Sequence, residues 1–499
     1  MRGGRPHSHS AVVLNTEEPG SVARMVVTNE SEHKCYPDFS LGDNSTPSTL
    51  VELVRRRALD TPQRCAFAFL IEGEAETIDL NYGELDRRAR AIGALLQSRR
   101  ATGERVLLLF PPGLDYIAAF FGCLYAGAIA VPAYPPRLNR TIRRLQAIAV
   151  DAEAAFALTP TNSLRPEGLL ERIPDFQRLE WLATEDVAPG LEGEWHELAF
   201  AADTLAYLQY TSGSTATPKG VMVSHANVLH NSAFINRGFG HTPDSVALTW
   251  LPHFHDMGLV DGIVQPIYGG FHSFVMPPVS FLQRPLRWLE AISRYKVTHS
   301  GGPNFAYDLC LRKIPPEQRA ALDLSSWTVA YNGAEPIRKE TLEQFAAAFA
   351  PCGFRRSAFY PAYGLAEATL KVAGGQKSDT PSYLHVQRSA LEQNRIVEVS
   401  EQNEAARALV GLGHADADTK VVIVDPETFV QCRRQQLGEI WVSGPSVTQG
   451  YWNRPNETET TFRAHLADSG DGPFLRTGDL GFLSEGGELV FVDRLKDLM

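Results

Sequence analysis

The fold class this sequence predicts is α/β, with two layered subdomains built on parallel-type sheets and a small β-rich, barrel-like subdomain after them. Three observations carry that expectation. Arg105 to Phe110 (RVLLLF) is an unbroken apolar run of strand length, a helical stretch follows with Leu114, Ile117, Ala118 and Phe121 at i, i+3, i+4 and i+7, and the apolar run AIAVPA comes next. Strand, helix and strand at that spacing form a parallel crossover whose strands are buried on both faces. Similar alternation returns from Thr204 to about Leu370, where LAYLQYT, VALTWLP, HSFVMPP and SSWTVAYNG are separated by helical stretches such as RPLRWLEAISRYK and KETLEQFAAAFA. From Lys420 the texture changes to short strands with turn residues (KVVIVDPETF, GEIWVSGP, GELVFVDR), which is the pattern of a β-rich unit.

In chain order, residues 1–45 are polar and without periodicity, and read as a disordered leader or a misassigned start with no assigned function. Order is expected from Thr49, where Thr-x-x-Glu opens the helix LVELVRRRALD as a capping box. A hairpin turning at Glu72-Gly73 follows, then a helix with Leu85, Ile92 and Leu96 on one face. One α/β segment is placed at 46–200, a second at 201–375 and the β-rich unit at 414–492.

Composition narrows the class. A chain of 499 residues exceeds what one hydrophobic core supports, and 44% apolar with 21% charged residues is ordinary for a soluble globular enzyme. With 47 basic against 58 acidic residues the net charge is -11, and no Lys/Arg stripe is present, so nucleic acid is not an expected partner. The six cysteines (35, 65, 123, 310, 352, 432) show no Cys-x-x-Cys spacing, which suits a reducing cytoplasm better than a disulfide framework or a zinc site. The N-terminus has no apolar core of signal length. Tyr116 to Pro136 is uncharged over a bilayer-spanning length, but Pro132, Pro135 and Pro136 and the strand before it favour a buried crossover over an integral membrane span.

The stretch YTSGSTATPKGVMVSHAN (Tyr210 to Asn227) holds five hydroxyls, on Thr211, Ser212, Ser214, Thr215 and Thr217, with Gly213 among them and Lys219 just beyond. Hydroxyls, a glycine that lets backbone N–H groups approach, and a point charge form an inventory suited to a triphosphate. It is not a Walker loop, because Lys219 stands between Pro218 and Gly220. A plain polar turn is the alternative.

This stretch resembles the phosphate loop of the adenylate-forming superfamily, which includes acyl-CoA synthetases, luciferases and peptide-synthetase adenylation domains. Four further elements follow in the family's order: Asn332-Gly-Ala-Glu-Pro336, Tyr363-Gly-Leu-Ala-Glu367, Arg476-Thr-Gly-Asp479 and Asp493-Arg-Leu-Lys-Asp497. The resemblance runs from about Thr46 to the last residue. It implies ATP as substrate and magnesium as cofactor, with Thr211, Ser212, Gly213, Ser214, Thr215 and Lys219 on the phosphates and Glu367 with Thr211 on the metal. It further implies Gly333, Ala334, Glu335, Tyr363 and Gly364 around adenine, Asp479 and Arg494 at the ribose, and Lys496 as a hinge.

LPHFHDMGLVDGIVQPIYGG resembles the acyl-pocket stretch of fatty acyl-AMP ligases, which implies acyl-site roles for His255, Asp256 and Met257. A transition-metal reading of His253, His255 and Asp256 competes with it. His299-Ser-Gly-Gly-Pro-Asn304 resembles the same subfamily and implies that Ser300, Gly301, Gly302 and Asn304 leave room for an alkyl chain. Between Leu370 and the strand KVVIVDPET lie nearly fifty residues, and the resemblance implies a subfamily insertion at 376–413 that disfavours CoA, with a surface loop as the alternative. The implied reaction is activation of a fatty acid to its acyl-adenylate for an acyl carrier protein, with a fatty acyl-CoA ligase and a weakly catalytic adenylate-binding module as rivals. Residues 493–499 match the hinge before the family's C-terminal domain, whose catalytic lysine is therefore not expected within these residues.

Overall fold

The computed structural model describes residues 47–135, 141–161, 173–211 and 218–497. The leader, and Ser212, Gly213, Ser214 and Thr215 of the phosphate loop, lie outside the described residues.

The chain opens with α1 (Leu50–Asp60), whose N-terminus is capped by the Thr49 hydroxyl accepting the Glu52 N–H at 3.1 Å. The capping box is only half formed. The Glu52 carboxylate takes the Ser48 N–H (2.7 Å) and hydroxyl (3.0 Å) instead of the Thr49 N–H. Strands β1 (Cys65–Leu70) and β2 (Thr77–Asn81) form the expected hairpin, with Glu72 and Gly73 at φ 52° and 76°. Helix α2 (Tyr82–Ser98) buries Leu85, Ile92 and Leu96. The crossover follows as β3 (Arg105–Leu109), α3 (Leu114–Tyr125) and β4 (Ile129–Ala133), with β3 and β4 parallel. The uncharged run thus divides between α3 and β4, and among the described residues no helix is long and apolar enough to cross a membrane.

Helix α4 (Thr141–Asp151), β5 (Phe156–Thr159), β6 (Glu180–Ala183), β7 (Leu205–Thr211) and β8 (Lys219–Ser224) complete a six-stranded sheet of order β6-β5-β3-β4-β7-β8, parallel except for β7–β8. Helix α5 (His225–Phe239) has a reciprocal capping box between Ser224 and Asn227. There follow β9 (Val246–Thr249), a π-helix (Met257–Val264), β10 (His272–Val275), α6 (Leu286–Tyr295), β11 (His299–Gly302), α7 (Asn304–Lys313), β12 (Val329–Asn332), α8 (Lys339–Phe349), β13 (Phe359–Gly364) and β14 (Lys371–Gly374).

The second sheet has the order β14-β13-β12-β11-β9-β10-β1-β2, so its membership does not follow the sequence segments. The hairpin β1–β2, early in the chain, joins it because β1 runs parallel to β10, Phe67 opposite Ser273. Conversely, β7 and β8 belong to the first sheet although they follow residue 200. Strand pairing across more than two hundred residues leaves no mark in local periodicity.

Residues 376–413 fold rather than loop freely. Strands β15 (Tyr383–Gln387) and β16 (Ala406–Val410) pair antiparallel, and Val386, Leu391, Ile396 and Leu409 share a core with Leu480, Phe482, Val490 and Val492. Those last four come from β19 (Leu475–Leu483) and β20 (Leu489–Arg494), which with β17 (Lys420–Val424) and β18 (Gly438–Ser443) make a four-stranded antiparallel sheet. A short helix, α9 (Pro455–Phe462), lies between β18 and β19.

Candidate active site

A cavity of about 650 Å³ opens at the carboxyl ends of β4, β7, β12 and β13, the edge at which parallel sheets place ligands. Its lining joins three groups of side chains.

The first is built on β12, β13, β19 and β20. Tyr363 donates its hydroxyl proton to Asp479 Oδ2 at 2.7 Å and stacks beside Phe491. Asp479 and Arg494 are register partners on β19 and β20, with Arg494 Nε 3.5 Å from Asp479 Oδ1. Burial raises the Asp479 carboxyl above the ordinary range, while Tyr363 and Arg494 oppose that shift. Gly333, Ala334, Gly364 and Lys496 also line this end, and Ala334 is held at φ 67°, uncommon for a residue with a side chain. Asn332 is fully buried, and neither its amide nitrogen nor its oxygen has a protein partner. Unsatisfied buried amides facing a cavity mark a place where a ligand completes the hydrogen bonding.

The second group surrounds the phosphate loop. Thr211 and Lys219 face each other across β7–β8. Lys219 forms an ion pair with Glu457 of α9 and lies 5.0 Å from the Tyr451 ring. Glu457 also holds Arg454 (3.0 Å), which reaches Asp151 of α4 (2.6 Å), and Tyr210 donates to that same Asp151 (2.8 Å). Glu367 accepts the Tyr451 hydroxyl on Oε1 at 2.8 Å. Burial raises its carboxyl, and among the described residues no cation lies within ion-pair distance of it. A carboxylate that lines a cavity with no counter-charge beside it is a fitting ligand for a hard divalent cation.

The third group forms a branch between α5, the π-helix and β14, lined by Ile235, Phe239, Met257, Asp261, Tyr331, Leu370 and Lys371. At its mouth Asp256 caps the π-helix through the Met257 N–H (2.6 Å), and His255 Nδ1 lies 2.6 Å from Asp256. The Asp256 charge raises the His255 imidazole pKa. His253 is instead buried against Tyr116, ring centres 3.7 Å apart, and is not part of the lining. The three side chains therefore do not converge as a transition-metal site would require.

Five residues expected at the site lie elsewhere. Ser300 accepts from Trp288 (2.8 Å) and donates to the Leu248 carbonyl (2.6 Å), serving the sheet. Cβ atoms on Gly301 and Gly302 would stand 2.1 Å from the Tyr331 oxygen and 2.6 Å from Trp250, so these glycines admit the protein's own atoms rather than an alkyl chain. Asn304 is buried against Thr341 and accepts the Arg338 N–H. Glu335 points out to the Phe305 N–H at the start of α7, where the helix dipole favours a carboxylate. Conversely, Asn332, Tyr451, Asp261, Tyr331 and Lys371 line the cavity without having been singled out. For Asp261 and Lys371 the signal was present: each is a lone charge in an otherwise apolar run, MGLVDGIV and TLKVAGG.

Lys371 is buried, and its ammonium donates to the Tyr360 hydroxyl at 2.7 Å. Burial lowers its pKa to about 7 from an unfolded value near 10.5. Between those values the unfolded chain carries the extra proton, so stability rises with pH across that window. Below about pH 7 both states are charged and the burial penalty is complete. Lys371→Met is accordingly expected to stabilise the protein most below pH 7, with the gain shrinking towards pH 10.5, as urea unfolding at pH 6 and pH 9 would show. An equal gain at both pH values would mean that the ammonium is not desolvated.

The sequence pattern of the AMP-binding enzyme family matches residues 54–452, most of the chain. The chain belongs to this family. It is 52% identical over 459 residues to a medium-chain fatty acid–acyl-carrier-protein ligase of Moorena producens, covering 91% of this chain and 77% of that one. It is 36% identical over 473 residues to a long-chain fatty acid–AMP ligase of Mycolicibacterium smegmatis, covering 91% and 75%. Among solved structures, a fatty acyl-adenylate ligase of Legionella pneumophila in complex with acyl adenylate and pyrophosphate superposes with a TM-score of 0.85 at 43% identity, covering 91% of this chain and 78% of that one.

Proposed function

We propose that this enzyme activates a fatty acid with ATP, releasing pyrophosphate, and passes the acyl group to the phosphopantetheine thiol of an acyl carrier protein or carrier domain. The observation that carries the reading is the joining, in one cavity, of a Tyr363–Asp479–Arg494 end, the Thr211–Lys219–Glu367 group and an apolar branch. A ligase 43% identical to this chain has been solved with acyl adenylate and pyrophosphate, which supports it.

In this reading Tyr363 stacks on adenine between Gly364 and the Gly333–Ala334 turn, and Asp479 with Arg494 takes the ribose hydroxyls. Lys219 and the hydroxyls of the loop hold the phosphates, and the acid's chain lies along the third branch with its carboxylate near His255. A carboxylate oxygen attacks the α-phosphorus, its P–O bond forms as the bond to pyrophosphate breaks, and the acyl-adenylate stays enclosed. The thiol then attacks the acyl carbon, giving a thioester and AMP. The protein contributes position and charge compensation more than covalent chemistry. Magnesium held by Glu367 and Thr211 would offset phosphate charge, and the lack of a cation beside the Glu367 carboxylate suits that role. Lys496 is assigned as the hinge, residues 376–413 as the insertion that disfavours CoA, and the cytoplasm as the compartment.

Incubation with magnesium ATP, C8 to C18 fatty acids, excess CoA and a holo-carrier protein, followed by mass spectrometry, is expected to give acyl-AMP and acyl-carrier with little acyl-CoA. Acyl-CoA as the main product would reassign the acceptor. Absence of acyl-AMP with every acid would overturn the reading.

A further inference from the structure

The third branch of the cavity is not uniformly apolar. Asp261 projects from the π-helix and hydrogen-bonds the Tyr331 side chain. It is enclosed by protein yet retains partial exposure, and it lines the cavity. Lys371 comes from the opposite side, on β14, and the two charges act on each other. Its ammonium stands 3.9 Å from the centre of the Phe234 ring, and among the described residues no carboxylate lies within ion-pair distance of it. The fold makes room for this polar end. A Cβ on Gly238 would stand 2.5 Å from Lys371 Nζ, and one on Gly374 2.6 Å from its Cε.

A saturated alkyl chain reaching Asp261 and Lys371 would strip water from a carboxyl and an ammonium and return no hydrogen bond. Burial raises the Asp261 carboxyl to about 7 and lowers Lys371 to about 7, so near neutral pH each is part charged. An ionised substrate carboxylate or amine there would be desolvated as they are and would meet a like charge on one of them, with Arg237 adding to the positive side and Asp416 offsetting it. The group that suits both is neutral and can donate to the Asp261 carboxyl while accepting from the Lys371 amine, whichever protonation state each holds.

We propose that the acyl branch selects a hydroxylated fatty acid, whose chain hydroxyl is received by Asp261 with Tyr331 and Lys371, over the unsubstituted acid of the same length. This rests on the acid-activation reading and names its substrate class. A hydroxyl at the right carbon donates to Asp261 and leaves its oxygen for Lys371. Displaced from that carbon, the same hydroxyl meets Ile235, Phe239 or Leu370 and is a burden, so the preference is positional.

The experiment uses this chain with non-hydrolysable 5′-O-acylsulfamoyl adenosines, whose binding needs no turnover. Bare sulfamoyl adenosine, the decanoyl derivative and a series of hydroxydecanoyl positional isomers are compared by calorimetry. One isomer is expected to bind about tenfold or more tightly than the decanoyl compound, since a site built around a hydroxyl discriminates against its absence. Asp261→Leu is expected to reverse that order, while Asp261→Asn, which retains an acceptor, keeps it. The proposal is overturned if the decanoyl compound binds as tightly as every isomer, a result the unmodified chain delivers even if a variant fails to fold. It is also overturned if Asp261→Leu, folded, leaves the order unchanged. If no acyl chain adds affinity over bare sulfamoyl adenosine, the acid-activation reading falls and this proposal with it.

Discussion

Glu367→Gln is expected to lower acyl-AMP formation by a factor of about 10² to 10³, the range seen when one group that stabilises developing charge is removed. AMP should still bind with unchanged affinity. Glutamine keeps the volume and an oxygen to accept the Tyr451 hydroxyl, so what is lost is the negative charge on the cavity wall. The Tyr363–Asp479 hydrogen bond and the Asp479–Arg494 ion pair do not involve Glu367 and remain in the variant. Because burial already raises the Glu367 carboxyl, removing its charge should not reduce the stability of the ligand-free protein at neutral pH. Pyrophosphate release, AMP calorimetry and urea unfolding on one preparation separate these effects. Undiminished turnover would remove Glu367 from the chemistry, and a loss of AMP binding in step with turnover would mean that its role is architectural.

Gly364→Ala is expected to cost about 3 kcal/mol or more in stability and to abolish AMP binding. A Cβ at this position would stand 1.8 Å from the Leu370 carbonyl oxygen, 2.7 Å from its carbon and 3.1 Å from the Lys371 Cα. All three are backbone atoms of the turn joining β13 to β14, so no rotamer change relieves the clash. The turn must open, and it carries Tyr363 on one side and Glu367 within it. Gly193→Ala, with nothing within 4 Å of the added carbon, is the control and should shift the urea midpoint little. Equal midpoints for the two variants would contradict the packing at Gly364.

What was legible in the sequence is what local order encodes. The β3–α3–β4 crossover, the helix faces at Leu85, Ile92 and Leu96, and β17, β18 and β20 of the β-rich unit are periodic over a few residues and appear where expected, whereas β19 carries no such pattern through Arg476-Thr-Gly-Asp479. Sheet membership was not legible, because the pairing of β1 with β10 depends on contacts between distant segments. The site divides in the same way. Tyr363, Glu367, Asp479 and Lys219 belong to quoted motifs and line one cavity. Gly301 and Gly302 belong to a similar stretch, yet the space they leave is taken by Tyr331 and Trp250, which only three dimensions could show. Asp261 and Lys371 are not legible from periodicity, because a charge within an apolar run breaks the pattern of its element. It is for that reason a signal of function.

The pairing of Lys219 with Glu457 has a thermodynamic corollary. An anion reaching that lysine does not meet a bare charge. It enters an exchange in which one counter-ion gives way to another, so the driving force is the surplus charge of the newcomer rather than neutralisation from nothing. The Glu457 carboxylate belongs to α9, which through Arg454 also grips Asp151 on α4. An anion that took Lys219 from Glu457 would therefore redistribute ion pairs between α9 and α4.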